Sequence, residues 1–148
     1  MDKKEALKIV KDDGSKIKDL PDHFKKDKEI VLAAIKYKDS FGGKQGGYLL
    51  KFVDDTLKKD REIVLAAVEN SGYALEFADY TLKKDKEVVL IACKNSFGRA
   101  LEFADNHFKK DKEFILTLVK SHGSILEFAD ENLKKDKEVV LATVENDG

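Results

Sequence analysis

The sequence predicts an all-α protein, an α-solenoid of short helix pairs with a period of about 25 residues. The block Lys-Lys-Asp-(Lys/Arg)-Glu begins at Lys25, Lys58, Lys83, Lys109 and Lys134, at intervals of 33, 25, 26 and 25 residues. Eleven residues before each of these lysines stands a glycine: Gly14, Gly47, Gly72, Gly98 and Gly123. Gly148 falls where a sixth is expected. A unit this short cannot bury its apolar side alone, so successive copies must stack. The 148 residues read as one domain. Its parts are a capping unit 1–24, a repeat 25–57 with an inserted loop 38–47, repeats 58–82, 83–108 and 109–133, and a half repeat 134–148.

The elements follow in order. Asp2 to Val10 aligns with the second half of later units, but Glu5 and Lys8 occupy slots that are apolar elsewhere. That pattern predicts an N-terminal capping helix with a polar outer face. In the first half of a unit, Leu75, Ala78 and Leu82 recur at i, i+3 and i+7, one face of a helix. The same slots hold Leu101, Ala104 and Phe108, then Leu126, Ala129 and Leu133. Asp79 and Lys83 are spaced as an i,i+4 acid–base pair, repeated at Asp54 and Lys58, Asp105 and Lys109, and Asp130 and Lys134. Pro21 takes the aspartate slot of this half in the first unit, and is expected to shorten its helix.

The second half runs Asp85 to Asn95. Asp85 is a suitable N-cap, and Glu87 places negative charge in the first turn. Six consecutive apolar residues also suit a buried strand. The cap, alanines such as Ala66, Ala67 and Ala92, and the lack of period-two alternation favour an inner helix. Asn95 and Gly98 then mark its C-terminal end. The last copy, Val139 to Val144, is as apolar as the interior ones. Its outer side is therefore expected to pack on a further repeat, on a partner, or on a second copy through self-association.

The stretch Leu126 to Ala142, Leu-Glu-Phe-Ala-Asp-x-x-Leu-Lys-Lys-Asp-Lys-Glu-Val-Val-Leu-Ala, resembles the helical repeat known as domain of unknown function 4116. The likeness covers nearly the whole chain, in weaker form from Asp2. It implies repeated short helices and carries no activity or functional residue with it. The unit is also similar in period and helix start to leucine-rich-repeat-variant solenoids, an architectural likeness only.

Composition excludes several function classes. Charged residues make up 39%, against about 25% in an average soluble protein. The 28 basic and 29 acidic residues nearly cancel, to a net charge of -1. A polyanion binder shows a basic excess, so nucleic acid is not the expected partner. The longest apolar runs are six residues, such as Ile63 to Val68, too short to span a membrane. The single cysteine excludes an internal disulfide framework and suits a reducing compartment, so a cytoplasmic location is expected.

No residue pattern points to catalysis, a cofactor or a metal, and the chain is read as a non-enzyme. The carboxylate pairs Glu76 and Asp79, Glu102 and Asp105, and Glu127 and Asp130 recur on successive units. They read as solvated, with the aspartates answered by lysine. Of His23, His107 and His122, the first two occupy the same slot some three repeats apart, too far to share a metal, and Cys93 sits in a core slot. Lys59, Lys84, Lys110 and Lys135 form a ladder, one per unit, and are the strongest argument for an anionic ligand or nucleic acid. Each abuts an aspartate, and only Arg61 and Arg99 offer the guanidinium preferred for phosphate. After Ile35, the stretch Tyr37 to Gly47 is eight residues longer than in the other units and holds four of the nine glycines. Loops on rigid scaffolds often carry binding groups, and Phe41, Lys44 and Gln45 are the candidates here. A helical-repeat scaffold that mediates protein–protein interaction is the expected function; an accessory module of a larger protein is an alternative.

Overall fold

The computed structural model describes residues 1–42 and 45–147, and among them every regular element is helical. The α-helices are α1 (Lys3–Asp12), α2 (Lys28–Ile35), α3 (Arg61–Asn70), α4 (Lys86–Lys94), α5 (His107–Lys110), α6 (Lys112–Val119), α7 (Glu131–Lys134) and α8 (Lys137–Asp147). Helices α1, α2, α3, α4, α6 and α8 pack each on the next as one layer. The segments between them, mostly 3-10 turns, form a second layer. The core between the layers is largely aliphatic, with Phe24, Phe108 and Phe114 in it, and continuous from Ala6 to Val139. The chain is a stack of helical repeats.

The helix starts are written locally. Asp2, Asp27, Asp60, Asp85, Asp111 and Asp136 each accept backbone N–H groups of the first turn. Asp60 Oδ1, for example, takes the N–H of Glu62 at 3.0 Å and of Ile63 at 3.3 Å. These groups have no partner inside the helix, which is why aspartate is favoured there.

The first half of each unit departs from the single amphipathic helix that its apolar spacing predicts. In the third unit it is a 3-10 segment, Gly72–Phe77, then an extended Ala78 (φ -72°, ψ 153°), then a second 3-10 turn, Leu82–Lys84. Leu20, Val53 and Ala129 are extended in the same slot. The aspartate that follows explains the break. Asp79 donates its N–H to the carbonyl of Lys58 in the preceding unit, 3.0 Å away, so it cannot donate within a helix. Asp54, Asp105 and Asp130 do the same to Lys25, Lys83 and Lys109, at 2.9–3.2 Å. The side chain then bends the next turn: Asp79 Oδ1 accepts both the N–H and the hydroxyl of Thr81. The expected Asp79–Lys83 ion pair is therefore replaced, and Lys83 Nζ donates to the Glu76 carbonyl instead. Pro21 shortens nothing, because every unit breaks at that slot. Proline has no N–H to donate, so the first copy makes no such bond at this slot.

The recurring glycine is a matter of clearance. A Cβ on Gly72 would stand 2.1 Å from the Ala92 carbonyl oxygen of α4, so only glycine lets the two layers meet.

The two ends show which face of a helix looks which way. In interior helices four slots are buried, represented by Ile63, Val64, Ala67 and Val68 in α3. In α1 the second and fourth slots, Ala6 and Val10, are buried, whereas the first holds exposed Glu5. In α8 the first slot, Val139, is buried, while the second and fourth, Val140 and Val144, are exposed. The first and third slots thus face the preceding unit, and the second and fourth face the following one.

Candidate interaction surface

The charged block joins units. Lys3 reaches Asp27 and Glu29, each at 2.9 Å. Lys28 reaches Asp60 at 2.9 Å and Glu62 at 2.7 Å, and Lys112 reaches Asp136 at 3.0 Å and Glu138 at 2.8 Å. Arg61 pairs with Asp85 and Glu87 in the same way. Each cation sits in the first turn of one helix and holds the cap and the first-turn glutamate of the next. The hydrogen bonds from Lys3, Arg61 and Lys112 keep Asp27, Asp85 and Asp136 below the usual carboxylate range.

The lysine ladder lies along the same seam. Lys59, Lys84, Lys110 and Lys135 are all exposed. Lys84 Nζ rests 4.7 Å from the centre of the Tyr80 ring, whose hydroxyl donates to Asp105 at 2.6 Å. Asp79 is kept ionised by the Thr81 hydroxyl, with Lys59 and Lys83 adding to the effect. Asp105 is held well down by Tyr80 and His107. The lysines thus run beside a row of ionised aspartates, which lowers the net field a polyanion would meet.

The described residues of the insertion are tied to their neighbours. Phe41 N–H donates to Asp39 Oδ1 at 3.0 Å and Gly42 N–H to the Asp39 carbonyl at 2.9 Å, a tight turn that leaves the Phe41 ring 98% exposed. Asn70 staples the two ends of the insertion to α3. Its Nδ2 donates to the Ile35 carbonyl at 3.1 Å, and its Oδ1 accepts from Gly47 N–H at 3.0 Å. Gly46 lies so close that a Cβ would overlap the Ile35 carbonyl oxygen.

Where the insertion meets the first two units there is a groove of about 520 Å³. Tyr37, Tyr48 and Phe52 line it together with Asp13, Lys18 and Gln45. The Tyr48 ring packs edge-on against Phe52 at 6.0 Å and Phe77 at 5.8 Å, which fixes its plane. Asp13 accepts the Ser15 N–H at 2.9 Å and hydroxyl at 2.7 Å, and that hydroxyl lowers its pKa.

Of the residues singled out from the sequence, Gln45 lines this groove and Phe41 stands on the adjoining turn. Lys44 lies outside the described residues. The four lysines occupy the seam and do not converge on the groove. Sequence reasoning missed Tyr37, Tyr48 and Phe52. A signal was present in Tyr48 and Tyr73, which follow the repeat glycine in two successive units. Cys93 is fully buried, and burial pushes its thiol up to about 12. No helix among the described residues is long and apolar enough to cross a membrane.

A family model described as Domain of unknown function (DUF4116) matches the chain at residues 2–42, 44–83, 64–109, 85–133 and 111–148. No curated protein and no solved structure matches it.

Proposed function

The chain belongs to the DUF4116 family, and from that premise we propose that it is a non-enzymatic, cytoplasmic scaffold that binds a protein segment in the groove beside its insertion. One observation carries the reading: an aromatic groove of about 520 Å³ whose rings and rim are held in place by Asn70 and the Asp39 turn. Fixed aromatic surface with a few polar groups is the usual make-up of an interface centre. Asp13, held ionised by Ser15, suits orienting a donor on the bound segment and does not suit general acid catalysis. The lysine ladder supports a polyanion less well, since carboxylates interrupt it at every unit.

Panning a displayed random-peptide library against the protein, then titrating the selected peptides, tests this reading. Tyr48→Ser removes the central ring from an exposed position and should weaken those peptides at least tenfold with unchanged circular dichroism. Equal binding by wild type and Tyr48→Ser would overturn it. So would failure to select any peptide while RNA binds with a steep salt dependence.

A further inference from the structure

We infer that the seam between α4 and α6 is a hinge, at which the chain flexes as two blocks, one from α1 to α4 and one from α6 to α8. The other pairs of consecutive inner helices are each bridged by a first-turn cation, from Lys3, Lys28, Arg61 or Lys112. At this seam Lys86, Asp111 and Glu113 occupy the same slots, yet none of the three makes an ion pair among the described residues. A second tie is missing as well. Asn70 Nδ2 donates to the Ile35 carbonyl of α2, and Asn95 Nδ2 to the Val68 carbonyl of α3 at 3.0 Å. The same slot after α6 holds Ser121, which makes no such bond among the described residues. The approach of the two layers also changes here. Gly14, Gly47 and Gly72 lie against the carbonyl oxygens of Ala34, Ala67 and Ala92 in the inner helix that follows. Gly98 lies instead against the side chains of Ile125 and Phe128.

The cause lies in the packing. The backward-facing slots of α6 hold Phe114 and Leu118, where α2, α3 and α4 hold Ile30 and Ala34, Ile63 and Ala67, and Val88 and Ala92. Both larger side chains are buried, and Phe108 packs on Phe114 at 4.7 Å. A close-packed interior does not compress, so they hold α6 off α4, and these two inner helices approach each other least. Two polar bonds remain, both at the helix starts: Asp105 N–H to the Lys83 carbonyl at 3.0 Å, and the Tyr80 hydroxyl to Asp105 at 2.6 Å. These form the pivot. At the far ends Phe97 meets His122 edge-on, and no hydrogen bond crosses the seam there among the described residues. The Nδ1 of His122 is itself buried without a hydrogen-bond partner. The hinge therefore opens away from the pivot, where only apolar and ring contacts are lost. The groove beside the insertion lies wholly on the first block and keeps its shape while α6 to α8 swing.

The chain carries its own probe. Cys93, the single cysteine, fills a forward-facing slot of α4 and is fully buried in this seam. A maleimide added under native conditions, with labelling followed by mass spectrometry, reads how often the seam opens. The reference moves the thiol one seam back, by Cys93→Val with Val68→Cys, to the same slot of α3 where the ties are present. Cys93 should label at least about tenfold faster than this displaced thiol. Ser121→Asn with Lys86→Arg supplies the amide and the longer cation of the tied seams, at two exposed positions. It should slow Cys93 labelling about tenfold, the worth of one or two hydrogen bonds, with unchanged circular dichroism. Equal labelling at the two seams would overturn the inference, since global unfolding would then expose both thiols. So would a Cys93 rate that the restored ties leave unchanged.

Discussion

Single residues here serve either one helix or two units, and the difference decides how a substitution acts. Among the described residues Asp111 only caps α6, whereas Asp60 caps α3 and also receives Lys28 from the unit before. The most unusual residue is Phe97. Its φ of 52° lies in the left-handed region, where a side chain costs roughly 1–2 kcal/mol. The ring is exposed and meets His122 edge-on at 5.1 Å, a contact worth about 0.5–1.5 kcal/mol. The strain exceeds the contact at the centre of these ranges, so Phe97→Gly should raise stability by about 0.5 kcal/mol. Urea unfolding of the two proteins would show a higher midpoint for Phe97→Gly with the same slope. A lower midpoint would mean that the ring contact dominates.

At the scale of elements, what was readable in the sequence is what is encoded locally. The aspartate caps act within one turn, so α2, α3, α4, α6 and α8 start where the charged block predicts. The broken first halves were hidden, because the Asp79 N–H leaves its own segment for the carbonyl of Lys58, a partner 21 residues away. The groove was hidden for a similar reason: Tyr37 stands on one side of the insertion and Tyr48 and Phe52 on the other, and Asn70 brings the two sides together. Phe41 and Gln45 were legible as residues of an insertion but not as parts of a surface. The diverted N–H makes a sharp comparison possible. Pro21 shows that the backbone of this slot accepts proline. Asp79→Pro keeps that backbone but loses the bond to Lys58 and the Thr81 turn, and should cost about 2–3 kcal/mol, one buried acceptor and one local cap. Pro21→Asp should change stability by less than about 0.5 kcal/mol. Chemical denaturation of both variants checks this, and similar losses would remove the inter-unit bond as the cause of the break.

On the scale of the whole molecule, stability is a sum over units and the seams between them, and the seams are charged. At four of the junctions one cation bridges two carboxylates of the following unit. This arrangement has a definite pH signature. The ordinary aspartate value is 3.8, and Asp27, Asp54, Asp79, Asp85, Asp105 and Asp136 all lie below it in the folded chain. A carboxylate with a depressed folded pKa binds its proton more readily when unfolded. Its stabilisation is fully present above the unfolded value and is lost as pH falls through the folded one. Thermal unfolding should therefore give a Tm that is level between pH 7 and about 5 and falls steeply below about 4. Asp27→Asn with Asp136→Asn removes two of these titrations at separate seams. It should lower the Tm at pH 7 and flatten the decline below pH 4. A double variant whose Tm falls as steeply as that of the wild type would assign acid sensitivity to groups outside the ladder. A wild-type Tm level to pH 2.5 would show that the junctions hold without their charges, through the apolar slots alone.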